Sequence, residues 1–385
     1  MKIEKTFDLP NVAEMQARKD KVMAEMAAQG YDAVVIFDPD NVFWLTQFAN
    51  FVHERPFILV MDKQGTLNFV VPKIESTHVN SRKVGEVNLI EYIEFPAAIG
   101  QDWKTIFTQT VADYSRVGFE ENAPYFVVEA LGQRGSVTPI VEEARFTKSP
   151  YELARINYAC ELANETFEEL LALAKPGLGA MESNKILTSS FMSKIYTNDP
   201  MTNYLATRVG VVVQSPNVSH DPHNYTNFMA MDMVEGGPHV AVVNSVVNGY
   251  GTEVERTFFL GHVPENCVKP YEVMMEARAI AFDLCKPGES MHDVDAAVYQ
   301  HLCKHGYGDN FLHRTGHGIG VTGHEGPFLA MGYDRVIEPN MVFTIEPAIY
   351  IPGIGGFRHS DTIITSDSGI INLTPIRDSL ADLTL

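Results

Sequence analysis

The stretch Thr315–Phe328, TGHGIGVTGHEGPF, places two histidines, one glutamate and five glycines within fourteen residues, with no helical or strand period. Glycine at that density lets backbone approach a ligand closely and reach positive φ without steric cost. The stretch therefore reads as an irregular segment presenting His317 and His324, or as a glycine-rich surface loop whose histidines are incidental. The deciding context is the set of clusters around it: NVSHDPHN (Asn217–Asn224), NSVVNGYGTEVERT (Asn244–Thr257), FTIEP (Phe343–Pro347) and GGFRHSD (Gly355–Asp361).

Glu253 and Glu255 stand two apart in an extended segment, so both side chains share one face. That face is either the solvated side of the strand or the wall of a site. Glu346 closes the apolar run MVFTI and precedes a proline. A carboxylate at the end of a buried strand needs a cation, a metal or a histidine as partner.

Around these clusters a helical grammar repeats. Helices are expected over Tyr151–Ala174 and Ala180–Tyr196, separated by Lys175-Pro176-Gly177, and again from Tyr271 to Leu284, followed by Lys286-Pro287-Gly288 and a helix capped by Ser290 with Asp293 three residues on. Extended segments follow each pair: Thr207–Gln214, Phe228–Met231, His239–Val247 and Thr252–Leu260, then Met341–Ile345 and Thr362–Thr365. Two helix–KPG–helix units, each followed by strands, point to a duplicated half and a pseudo-twofold domain.

The chain before Arg145–Pro150 is α/β in pattern. A helix capped by Asn11 and stopped by Gly30 precedes a strand over Asp32–Phe37, with turn chemistry in DPDN after it. Further strands are expected at Phe57–Met61, Leu67–Val71 and Val87–Phe95. Trp44, His53, Glu54 and Arg55 are the polar or aromatic residues of interest in this part.

Composition narrows the function. With 385 residues, 45% of them hydrophobic, the chain has material for two domains. A net charge of −20, without basic clusters, argues against nucleic acid. Four cysteines without framework spacing, no apolar leader core and no spanning apolar run lead us to expect a cytoplasmic protein with reduced thiols and no membrane association.

Taken in order, PHN, GYGTEVERT, GHGIG, GHEGP, TIEP and GGFRHSD resemble the prolidase, methionine aminopeptidase, aminopeptidase P and creatinase group. The resemblance implies a small N-terminal α/β domain (1–147) followed by a pseudo-twofold pita-bread catalytic domain (148–385), and a homodimer in which the partner's N-terminal domain closes the site. Metal-dependent members of that group hold two ions with two aspartates, one histidine and two glutamates. Here His317 falls on the histidine and Glu346 on one glutamate. Glu253 stands at the second aspartate, Val242, Val243 or Asn244 at the first, and Ser360 at the last glutamate. A two-metal site needs carboxylates that bridge both ions, and these changes remove them.

The departures resemble the metal-independent creatinase branch, which shares the ERT glutamate, here Glu255, and a His-Asn pair, here His223-Asn224. That resemblance implies a hydrolase cleaving a C–N bond in a small amidine, guanidino or cyclic-amidine zwitterion, creatine- or ectoine-like, with no cofactor. His223 would be the acid and base, with His220 a nearby competitor, while Glu255 and Glu346 grip the cationic group. Converging carboxylates repel one another, and a planar amidinium taken bidentately relieves that repulsion. Glu253, His317, His324 and His359 are further candidate substrate contacts, and Arg335 and Arg55 candidate carboxylate anchors. Two alternatives stay open. One is a Xaa-Pro peptidase with altered ligands, holding one zinc or manganese ion on Glu253, His317, Glu346 and His359. The other is an inactive binding module.

Overall fold

The computed structural model of the chain describes residues 3–50, 54–94, 96–199, 201–224 and 232–385. It forms two compact units, Asp8–Arg145 and Met1–Phe7 together with Phe146–Leu385. The expected strand Phe228–Met231, His53 and the end of the expected strand at Phe95 lie outside the described residues.

The first unit runs α1 (Val12–Gln29), β1 (Ala33–Ile36), α2 (Pro39–Thr46), β2 (Ile58–Asp62), β3 (Leu67–Pro72), α3 (Ser76–Arg82), β4 (Asn88–Tyr92), α4 (Trp103–Thr110), β5 (Val117–Phe119), α5 (Tyr125–Leu131), β6 (Gly135–Val137) and α6 (Ile140–Ala144). Its six strands lie in the order β4-β3-β2-β1-β5-β6. Asn11 caps α1 by accepting from the Glu14 N–H at 2.9 Å, and Gly30 ends it at φ 73°. The DPDN segment departs from the turn expected of it. Asp38 caps a helix instead, accepting from the Asp40 N–H at 2.8 Å with Pro39 in the first turn. Asp-Pro serves a turn and a helix start equally well, and burial of Val42, Trp44 and Leu45 selects the helix.

The second unit continues with α7 (Pro150–Leu173), α8 (Ala180–Asn198), β7 (Arg208–Gln214), β8 (Gly236–Val247), β9 (Tyr250–Leu260), α9 (Glu265–Leu284), α10 (Met291–Lys304), β10 (Gly316–Gly318), β11 (Glu325–Leu329), β12 (Val342–Ile345), β13 (Ala348–Ile351), β14 (Gly355–Arg358), β15 (Ser360–Ser366) and β16 (Gly369–Asn372). One sheet follows the order β11-β10-β12-β15-β9-β8-β7, with β16 on β15. Each half carries its own helix pair and core. Phe167 and Phe191 from α7 and α8 pack with Val243 and Val254, and Met274 and Val298 from α9 and α10 pack with Phe343 and Ile363. Both KPG glycines take the left-handed conformation, Gly177 at φ 83° and Gly288 at φ 95°. The duplication expected from the sequence is thus a duplication of two helix pairs on one sheet. Helix α9 begins at Glu265, earlier than expected, and absorbs Pro270 in its second turn because Cys267, Pro270 and Tyr271 are all buried there.

The glycine-rich stretch is more regular than its composition implies, since it contains β10 and β11. None of Gly316, Gly318, Gly320 or Gly323 has a positive φ. Their reason is close approach. A Cβ on Gly316 would fall 2.0 Å from the Thr344 carbonyl oxygen, and one on Gly318 would fall 2.2 Å from that of Gly326. Only glycine lets β10 sit this deep against its neighbours.

Candidate active site

Strand alternation builds the site. On β9, Glu253 and Glu255 face one way while Val254 enters the core and Arg256 faces the other way. Asn244 on β8 pairs in register with Glu253, and Ser360 on β15 pairs with Glu255. From Arg358 to Asp361 the facing alternates again. Arg358 and Ser360 reach toward the two glutamates, while His359 and Asp361 turn to the opposite side.

Asn244, Glu253, Glu255 and Arg358 line a cavity of about 560 Å³ together with His223, His313, Arg314, His317, His324 and Glu346. At its floor, ligand atoms of Glu253, His317 and Glu346 all lie within 4.8 Å of one another. The His317 Nε2 is 3.2 Å from Glu346 Oε1 and 3.9 Å from Glu253 Oε1. The other ring nitrogen, Nδ1, donates to the Gly318 carbonyl at 3.0 Å, which turns Nε2 into the cavity. Glu253 is held on both oxygens, by Ser360 Oγ at 2.8 Å and Asn244 Nδ2 at 2.6 Å. Glu346 Oε1 accepts from Thr344 Oγ1 at 3.3 Å.

Burial disfavours charge on all three, so the proton is shared unequally. Burial, and then the charge of Glu346, push Glu253 upward. Burial acts against Glu346 as well, but the His317 hydrogen bond and charge hold it down at about 2. Burial likewise opposes the His317 imidazolium, and Glu346 nonetheless raises it to about 9. Partial burial, followed by the charges of His317 and Arg314, drives His324 down to about 4. His324 therefore stacks on His317 as a neutral ring, centroids 3.8 Å apart, and accepts from Arg314 Nη2 at 3.2 Å.

Beside this floor runs a second chain of contacts. Arg358 donates to both oxygens of Glu255, through Nη2 at 2.8 Å and through Nε, and donates from Nη1 to Tyr350 Oη at 2.7 Å. Tyr350 Oη in turn lies 2.8 Å from His313 Nε2. Glu255 was expected to grip a substrate cation, but its carboxylate is already taken by Arg358. His313, Arg314 and Tyr350 were missed by sequence reasoning. The signal was weak, because His313-Arg314 precedes the glycine-rich stretch without a motif of its own and Tyr350 reads as a strand residue.

Other expected residues lie elsewhere. His359 is fully buried away from the cavity, edge-on to Tyr271 at 5.4 Å, and burial, then Arg256 and Arg278, press its basicity far down. As a ligand or substrate contact it is corrected: odd and even positions of an extended segment face opposite sides. Arg335 stacks over Phe146 at 5.2 Å and is not among the cavity residues. Arg55 belongs to the first unit, where it pairs with Glu94. His223, not His220, lines the cavity.

The donor set fits one divalent cation. Two carboxylates and an imidazole converge, and each is oriented by a hydrogen bond from outside the set. It does not fit a bridged pair of ions. Asn244 and Ser360 supply no further carboxylate beside Glu253 and direct their hydrogen bonds into it instead.

Comparison with known proteins agrees with this layout. The family profile described as Metallopeptidase family M24 matches residues 154–367, and Creatinase/Prolidase N-terminal domain matches residues 18–147. The uncharacterized peptidase YqhT of Bacillus subtilis is 31% identical over 281 residues, covering 69% of this chain and 76% of that protein. The Xaa-Pro dipeptidase of Pyrococcus furiosus is 25% identical, covering 94% and 98%. Among solved structures, the prolidase of Pyrococcus horikoshii superposes with a TM-score of 0.81 at 22% identity, covering 94% of this chain and 99% of that one. The fold is the pita-bread arrangement with its N-terminal domain, as the motifs implied. The expectation of an enzyme without cofactor is overturned: the matching family is one of metallopeptidases, and the three convergent ligands suit a metal ion. With more than half its length matched by that profile, the chain belongs to metallopeptidase family M24, as a hydrolase of C–N bonds.

Proposed function

We propose that this chain is a single-metal hydrolase that cleaves small peptide-like substrates of the Xaa-Pro dipeptide kind. The convergence of Glu253, His317 and Glu346 at the floor of a small cavity carries the reading. A divalent ion on these three ligands supplies Lewis-acid polarisation of the scissile carbonyl. The full-length likeness to the Pyrococcus furiosus Xaa-Pro dipeptidase supports the substrate class.

The cavity charges favour a dipeptide over a guanidino compound. Glu255 is neutralised by Arg358, and Glu346 by His317. Among the described residues Arg314 has no carboxylate partner. It is held over the Phe328 ring at 4.3 Å, ready to meet the terminal carboxylate of a dipeptide. His223 takes and returns the proton at the exposed side of the cavity. Glu255 acts as a positioning residue that fixes Arg358 and, through it, Tyr350.

The test is a panel of Xaa-Pro dipeptides assayed on protein stripped with a chelator and then reloaded. Activity is expected to disappear on stripping and return with one equivalent of manganese per chain. Undiminished cleavage after stripping, or no cleavage of any peptide by loaded protein, would overturn the reading.

A further inference from the structure

The second helix pair carries a cluster that the catalytic cavity does not use. His301 and His305 are four residues apart, which puts both rings on one face of α10, His305 being the residue that ends the helix. Their centroids lie 4.6 Å apart. Glu276 reaches across from α9, its Oε2 3.1 Å from His301 Nε2. That Nε2 is buried and makes no aligned hydrogen bond among the described residues, even with the carboxylate so near. One ligand atom from each of the three lies within 4.8 Å of the others.

We propose that Glu276, His301 and His305 form a second divalent-metal site, selective for zinc, that ties α9 to α10. Two imidazoles and one carboxylate, with room for water at the partly exposed side, make the donor set of a borderline ion. The catalytic set has the opposite balance, two carboxylates and one imidazole, and accepts an oxygen-preferring ion such as manganese more readily. The two sites are therefore separable by metal as well as by mutation. Because α9 and α10 both face the core around Met274, Val298 and Leu302, an ion bridging them holds that layer together and binds the folded state alone.

The experiment is calorimetric titration of the metal-stripped full chain with zinc chloride and, separately, manganese chloride. Wild type is expected to take up two zinc ions and one manganese ion. His301→Ala/His305→Ala takes up one of each, and Glu276→Gln weakens the second zinc at least tenfold while peptide hydrolysis is unchanged. His317→Ala is expected to keep one zinc, whose binding still raises the unfolding temperature. A His301→Ala/His305→Ala protein that binds as many zinc ions as wild type overturns the proposal whatever the substrate of the catalytic site.

Discussion

Replacing Arg314 by methionine tests how the cavity recognises its substrate. Methionine keeps most of the side-chain length against Phe328 but removes the guanidinium and its donation to His324. A hydrogen bond between charged groups contributes about 1.5–3 kcal/mol, so its loss lowers kcat/KM about 10- to 150-fold. The Phe328 ring already holds the guanidinium in place, and little ordering is needed on binding, which favours the upper half of that range. The loss is expected in KM, since the contact is made equally in ground and transition states. The assay compares a Xaa-Pro dipeptide with the same compound bearing a C-terminal amide. Arg314→Met should abolish the preference for the acid and leave cleavage of the amide little changed. An equal loss on both substrates would refute the reasoning, because Arg314 would then be acting through His324 or the fold.

Further outcomes follow from the same structure. Ser360→Ala removes a hydrogen bond that orients Glu253 and should weaken the catalytic ion about 10- to 100-fold, read by competition with a chelating dye. Asn244→Asp combined with Ser360→Glu places two further carboxylates beside Glu253, and manganese stoichiometry should rise from one to two. Asp361 is fully buried between Arg256 and Arg278, each at 2.7 Å, so Asp361→Asn should cost about 3–5 kcal/mol in urea unfolding. His239 is buried, stacked on Phe258 and accepting from the Val234 N–H, and burial depresses it to about 4. Its folded value lies below its unfolded one, so stability is complete above about pH 6.5 and declines as pH falls toward 4. The loss reaches about 2 kcal/mol at pH 5. His239→Gln should flatten that decline relative to wild type, measured by urea unfolding at pH 5, 6 and 7.

Several site residues were legible in the sequence because strand periodicity and helix caps are local. Glu253 and Glu255 share a face by alternation alone, and Glu346 at the end of an apolar run required a partner, which His317 provides. The same alternation, followed one residue further, separates His359 from Arg358. What local pattern could not reach was pairing across the sheet. The sequence leaves Glu255 a bare carboxylate, and only the approach of β15 to β9 and of β14 beside it gives both its oxygens to Arg358. That pairing occupies a carboxylate that a guanidinium substrate would need. Arg314, by contrast, forms no ion pair with a carboxylate among the described residues and is held over the Phe328 ring.

The chain's order of motifs carried the fold through the family it resembles, and the repeated helix–KPG–helix grammar marked the two halves. The glycines of TGHGIG determined how closely β10 could approach, since no side chain fits between it and Thr344. Tertiary structure alone decided the charge state and purpose of the site. Whether a buried carboxylate binds a metal, a substrate or an arginine depends on which groups lie within about 3 Å of it, a distance that residues a hundred positions apart reach only in the folded sheet.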